Sequence, residues 1–341
     1  MQHRIPSSFL SILPPVLPPV LPPVLAGAFL LLAACVTEPP GDDEPRAGQI
    51  SSEITGCVTG SSGQTGTWCA ESAPIAATTN LRGVWAISAD DVFAVGDGGT
   101  ILRRTGGAWG AMASGTTSKL LAVWASSGSD VWAVGVTGTV LHFDGTAWTT
   151  LPPFTTSDLD AVWGSGPTDV WLAATGTLWR WTGSGAPAPS LSVGGHLLSV
   201  SGTGPSDVWA VGEMCGVHHF TGSGWQTVAS PLSTQSYFAV LDRAVGDVWL
   251  TDNLTSKESA HLAGSAWNPQ KVMLGVTLGS LTAFAAGDVW GAVGTRVAHW
   301  NGSQWSVDAP FGTSVSLKSV TSTTGHLWLV GNAALIAHQI R

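Results

Sequence analysis

Seven segments of about 39 residues repeat one template along this chain, and a repeat of that length leaves few folds open. Each copy reads as an apolar pair ending in Trp, a Gly/Ser turn, Asp-Val-Trp, and small apolar residues closed by Gly. A Gly-Thr turn, an apolar strand, a second Gly turn and a final Trp follow. The clearest copy runs from Leu121 to Trp148. The Asp of Asp-Val-Trp (or Phe) falls at Asp91, Asp130, Asp169, Asp207, Asp247 and Asp288, with His326 in its place in the seventh copy. The steps between these positions are 39, 39, 38, 40, 41 and 38, just below the roughly 40–45 residues of a four-stranded propeller blade.

Within a copy the pattern predicts four short strands, in the second at about 120–124, 130–135, 139–143 and 147–151. Each is bounded by Gly, Ser, Asp or Asn, the residues that turns require. A solenoid is the rival architecture, but it needs polar caps at both ends. The ends point to closure instead. The seventh copy stops after its third strand, Leu335–Gln339, and an orphan fourth strand, 66–70, precedes the first copy. The expected fold is all-β: a seven-bladed β-propeller of four-stranded blades, closed by an N-terminal outer strand that completes the last blade. Closure of this kind leaves no long free strand edge.

Composition agrees with short strands and tight turns: 43 Gly, 18 Trp and only 10% charged residues. A formal net charge of −9, without a Lys/Arg cluster, argues against a nucleic-acid partner. The first 34 residues read as a targeting segment, with Arg4 as a thin positive region and an apolar run from Val24 to Ala34. Three LPPV repeats shorten that run to about ten proline-free apolar residues, too few for the roughly 20 of a membrane span. Leu32-Ala33-Ala34-Cys35 resembles the lipobox of bacterial lipoproteins. The resemblance implies cleavage before Cys35 and lipidation of it; several acyl chains on one terminus anchor stably. Val36 after Cys35 leans toward the outer membrane by resemblance to the known sorting rule. The expected domains are a signal peptide at 1–34, a lipid-anchored tether at 35–65 and the propeller at 66–341. Outside the cytoplasm a disulfide between Cys57 and Cys69 is plausible, leaving Cys215 as a buried free thiol.

At Asp-Val-Trp-Ala-Val-Gly (130–135 and 207–212) and at Asp144-Gly145-Thr146-Ala147-Trp148, the chain resembles Asp-box (BNR-type) and photosystem-assembly-factor-like propellers. It is especially similar to Trp-rich repeat propellers of secreted bacterial lipoproteins. A full Asp box, Ser-x-Asp-x-Gly-x-x-Trp, is reduced here to a Gly turn and Trp. The resemblance covers about residues 67–341 and implies architecture far more than activity, since such propellers serve as sialidases, binding scaffolds and assembly factors alike.

The most repeated residues are the weakest functional candidates. An Asp in six copies lies on a ring, and its carboxylate is expected to accept backbone N–H bonds in the turn between the first two strands. His142, His219, His261 and His299 each stand six residues before a Trp, on third strands of different blades. They should diverge, whereas metal ligands must converge within about 2 Å of one ion, so no metal and no cofactor are expected. Trp85, Trp124, Trp163, Trp132, Trp171 and Trp209 should fill the space between blades; the off-pattern Trp179, Trp181 and Trp300 should add to that packing, the alternative being exposed rings that stack on a sugar or anchor a protein partner. Function is expected where loops leave the repeat, on the face carrying the second-to-third-strand loops. The candidate binding residues there are Asp97, Glu213, Met214, Asp252, Asn253, Lys257 and Glu258, with Ser-, Thr- and Pro-rich inter-blade loops at 149–158, 183–197, 228–237 and 308–316.

A sialidase-like site needs three converging Arg and a Tyr nucleophile, but no motif groups the Arg and Tyr237 stands alone. A paired-carboxylate glycosidase or a lyase is the alternative enzyme reading, and a purely structural surface protein a further one. The leading expectation is a non-catalytic, monomeric envelope lipoprotein. It would scaffold a protein or glycan, held to the membrane through its lipid anchor.

Overall fold

The computed structural model describes residues 57–59, 65–232, 235–252, 258–271 and 278–341. Cys35 and the expected signal peptide, Asn253 and Lys257 lie outside the described residues. No helix among the described residues is long and apolar enough to cross a membrane.

The second repeat shows why these sequences form strands. Leu120–Ser127, Asp130–Gly135, Val140–Phe143 and Trp148–Thr150 make one antiparallel sheet, close to the predicted boundaries. Val131, Trp132, Ala133 and Val134 are buried on both faces of the sheet, as an apolar run between packed sheets must be. The last residue of that strand is Gly135, where a Cβ would stand 2.0 Å from the backbone oxygen of Lys119. The outer turn is held by Asp144, whose Oδ1 accepts from the backbone N–H groups of Thr146 and Ala147 at 2.8 and 2.9 Å. The Thr146 hydroxyl, together with these backbone bonds, pulls the exposed carboxyl down to a pKa of about 2. Asn301 makes the same turn in the sixth repeat.

The strands group into six sheets, so the propeller has six blades and not the seven expected. Four of the sheets have four strands. Another holds six and carries both the third and the fourth repeat: Leu159–Gly166, Asp169–Trp181, Ala188–Gly204, Asp207–Glu213, Gly216–Phe220 and Trp225–Val228. Two long strands cause the merger. Asp169–Trp181 runs through Thr175-Gly176-Thr177 without the short loop seen at Asp97–Gly99 and Val136–Gly138, and it pairs with Ala188–Gly204 from Thr175↔His196 to Arg180↔Ala188. The expected inter-blade loop at 183–197 is therefore largely strand. Seven inner segments, one per repeat, face a common axial cavity; two of them belong to the merged sheet.

The last sheet has five strands: Leu317–Thr323, His326–Gly331, Ile336–Ile340, Thr67–Ala70 and Cys57–Thr59. Thr67–Ala70 lies against Ile336–Ile340 with Cys69 opposite His338, so strands from the two ends of the described chain share this sheet. Cys57–Thr59, placed in the tether by the sequence, is the edge strand here, and Cys57 is bonded to Cys69 directly across from it.

Tryptophan fills the space between sheets. Trp68, Trp132, Trp171, Trp249, Trp290 and Trp328 are essentially inaccessible. Each such ring is worth about 4–6 kcal/mol of transfer free energy. The off-pattern rings add to the packing: Trp181 meets Trp132 at 4.8 Å, Trp179 meets Phe154 at 5.0 Å, and Trp300 meets Trp249 at 5.5 Å.

Candidate functional site

The ring of repeated aspartates is consumed inside the blades. Asp130, Asp207, Asp247 and Asp288 bond Nε2 of His142, His219, His261 and His299 at 2.7, 2.7, 2.8 and 2.9 Å. Three of these imidazoles stack at 4.0–4.1 Å on Trp209, Trp249 and Trp290. The Ser or Thr four residues before the Asp donates to the same carboxylate, as Ser165 does to Asp169 at 2.6 Å and Thr203 to Asp207 at 2.8 Å. The carboxylates thus bind side chains of the third strand, where the sequence led us to expect backbone groups of the first turn. Arg103 and Arg180 replace His in the first and third repeats, bonding Asp91 and Asp169 while lying over Phe93 and Trp171. Among the described residues no group of three or more His, Cys, Asp or Glu could hold a metal ion.

The seventh repeat closes the network differently. His326 Nδ1 meets His338 Nε2 at 2.8 Å, and His338 stacks on Trp328 at 3.8 Å. Glu71, just past the closing strand, accepts from Arg104 and from Trp109 Nε1 of the first blade. Burial opposes ionisation of Glu71, but His338 and Arg104 outweigh it and hold its pKa below the usual carboxylate range. Desolvation and the charges of His338 and Arg104 lower the pKa of His326. Arg341 ties the chain's last residue to Asp288 of the preceding sheet.

The arginines do not converge. Arg82, Arg103, Arg104, Arg180, Arg243 and Arg341 each pair with a carboxylate: Asp97, Asp91, Glu71, Asp169, Asp247 and Asp288. Tyr237 is fully buried, with its hydroxyl 2.5 Å from that of Ser230.

The candidate binding residues separate on inspection. Met214 projects into solvent, 77% exposed, from a left-handed backbone (φ 51°) in the second-to-third-strand loop of the fourth repeat. Thr137 of the second repeat takes the same conformation; the region is costly for a residue with a Cβ. Asp97 instead holds its own blade, accepting from Arg82 at 2.5 Å and Asn80 at 3.1 Å. Burial opposes its charge, yet these donors hold its pKa below the ordinary value. Asp252 is only 1% exposed and accepts from the backbone N–H of Glu258, which is half-buried. Glu213 pairs across the sheet with His196, whose ring bonds Asp160 at 2.6 Å. That bond raises the pKa of His196 against the effect of burial. Cys215 is half-buried, and desolvation pushes its thiol up to about 11.

The axial cavity was absent from the sequence reading. It measures about 500 Å³, and all seven inner segments contribute to its wall. At the position paired with the aromatic residue of Asp-Val-Trp or its equivalent, the inner strands carry Trp85, Trp124 and Trp163 in repeats one to three, of which Trp85 and Trp163 line the cavity. They carry Ser201, Leu241, Thr282 and Thr321 in repeats four to seven. The hydroxyls bridge neighbouring repeats: Ser201 accepts from Asp242 N–H at 3.0 Å, Thr282 meets Ser322 at 2.6 Å, and Ser280 accepts from Val320 N–H at 3.2 Å. A repeat alignment would have shown this division.

No protein-family model matches the sequence, and no curated protein matches it. Solved structures do. YCF48 bound to D1 peptide superposes with a TM-score of 0.65 at 16% identity, over 80% of this chain and 97% of that one. YCF48 from Cyanidioschyzon merolae gives 0.64 at 15% identity, over 80% and 98%. A catalytically inactive virginiamycin B lyase from Staphylococcus aureus with quinupristin gives 0.66 at 11%, over 80% and 99%. At these identities the likeness is one of fold, and by fold the chain is an all-β propeller built of sequence repeats.

Proposed function

We propose that this protein is a protein-binding scaffold of the bacterial cell envelope, anchored to the outer membrane by lipid on Cys35. The observation that carries the binding reading is the fate of the charged groups. Six arginines and the repeated aspartates are spent on partners that stiffen the ring, while the axial wall departs from the repeat and Met214 projects into solvent. A rigid body with local departures suits recognition, because little order is lost when a partner docks. That a propeller of this fold is seen with a bound peptide supports a protein over a glycan as partner.

A photo-crosslinking residue at position 214, compared with one at Asp144 on the opposite face, tests the reading in intact cells. The expected result is a discrete protein adduct from position 214 only. Identical adducts from both positions, none from either, or a glycan adduct in place of protein would overturn it. Metabolic labelling with palmitate checks the anchor: the parent chain should incorporate label and Cys35→Ser should not.

A further inference from the structure

One inner strand breaks a rule that the other six keep. Opposite the Val (Leu327 in the seventh copy) of the Asp-Val-Trp motif the inner strands hold Ala86, Ala125, Gly164, Gly202, Ala283 and Ser322, and in the fifth repeat Asp242. The small residues answer a steric demand. A Cβ on Gly164 would meet the Trp124 ring at 2.5 Å, and one on Gly202 would meet the Trp163 ring at 2.6 Å. Before Asp242 the ring is missing, because Ser201 stands where the three preceding repeats carry Trp. Serine for indole leaves room for a larger neighbour, and a carboxylate occupies that room.

Asp242 is 6% exposed, and neither carboxylate oxygen has a hydrogen-bond partner among the described residues. Asp207 and Asp247 add negative charge nearby, but they are bonded to His219 and His261. The adjacent cation, Arg243, is turned to Asp247. Burial first, then the two aspartates, pushes the Asp242 pKa up to about 8. An unsatisfied buried acid is costly, and six repeats show that the fold does without one. Asp242 lies in the wall of the axial cavity, together with Ser199, Ser201 and Trp163.

We propose that Asp242 anchors a site in the axial cavity for a guanidinium or alkylammonium group, presented by a basic side chain of a polypeptide partner. This rests on the protein-binding reading and names the chemistry of its recognition. A cation supplies the donors that the carboxylate lacks. The cavity of about 500 Å³ that Asp242 borders has room for such a side chain, and Trp163 in the same wall offers a ring to a bound cation.

The test titrates the full mature protein with N-acetyl-arginine amide and with its uncharged isostere N-acetyl-citrulline amide, read by calorimetry and by NMR shifts of the tryptophan indole N–H groups. The arginine compound should bind saturably and at least tenfold more tightly than the citrulline one. Asp242→Asn and Asp242→Ala should each abolish the difference; alanine stands in this register in three other repeats, so its variant keeps the fold. Equal affinity for the two compounds, no saturation, or undiminished discrimination in either variant would overturn the site. If the position-214 adduct persists in Asp242→Ala while arginine binding is absent from the parent, the scaffold stands and the cation site falls. If arginine binds but no adduct forms, the reverse holds.

Discussion

The two sides of the axial wall solve one packing problem in different ways. In repeats one to three an indole from each inner strand reaches the next strand, as Trp124 reaches Gly164 and Trp163 reaches Gly202. In repeats four, six and seven, hydroxyls at the same register tie one inner strand to the next, as Thr282 does with Ser322 and Thr321 with Ala86 N–H. Dispersion and burial hold the first side, and it tolerates only Ala or Gly opposite the ring. Directional bonds hold the second, and it has room for other chemistry. That latitude is why Asp242 stands on the second side.

The largest expected break in this contrast is Trp124→Ala, which removes a ring that is 3% exposed. It should cost about 3–5 kcal/mol in urea unfolding. Gly202→Val should cost about 3 kcal/mol by overpacking against Trp163, measured in the same way. A cost below about 1 kcal/mol would show that the tryptophan side can yield.

Asp242→Ala should move stability in the other direction, by about 2 kcal/mol at pH 8, because it removes an unsatisfied buried acid. The sign follows from its raised pKa of about 8 in the fold against the ordinary 3.8. Between those values the unfolded chain has released the proton and the folded chain retains it, so stability falls as pH rises from about 4 to 8 and levels off above. Asp242→Ala should flatten that slope in thermal melts at a series of pH values; an unchanged slope would place the pH dependence elsewhere. The smallest effect belongs to Ser280→Ala, which loses the bond from Val320 N–H and should cost about 1 kcal/mol. A cost as large as that of Trp124→Ala would erase the distinction between the two sides.

Much of the architecture was legible because it rests on local pattern. Gly turns, alternating apolar strands and the Asp-Val-Trp register mark most of the strands, and the orphan strand at Trp68 is found beside Ile336–Ile340. The division into blades was not legible. Whether Thr175 pairs with His196 depends on how two strands approach in space, and no residue type announces it. At the candidate face, exposure was assumed from loop position; Met214 meets that assumption, while Asp252 is buried and Asp97 is committed to Arg82.

The sequence by itself determined the repeat and its strands and turns, because each strand and turn depends on neighbours within a few residues, and the recurrence of Trp at fixed positions marked the rings that fill the space between sheets. Only the tertiary structure decided that two repeats share one sheet and that the repeated aspartates bind third-strand side chains. Only there does Asp242 emerge as a buried acid without a partner. Those outcomes depend on groups roughly 10 to 40 residues apart in the chain, brought together when the strands pair and the ring closes.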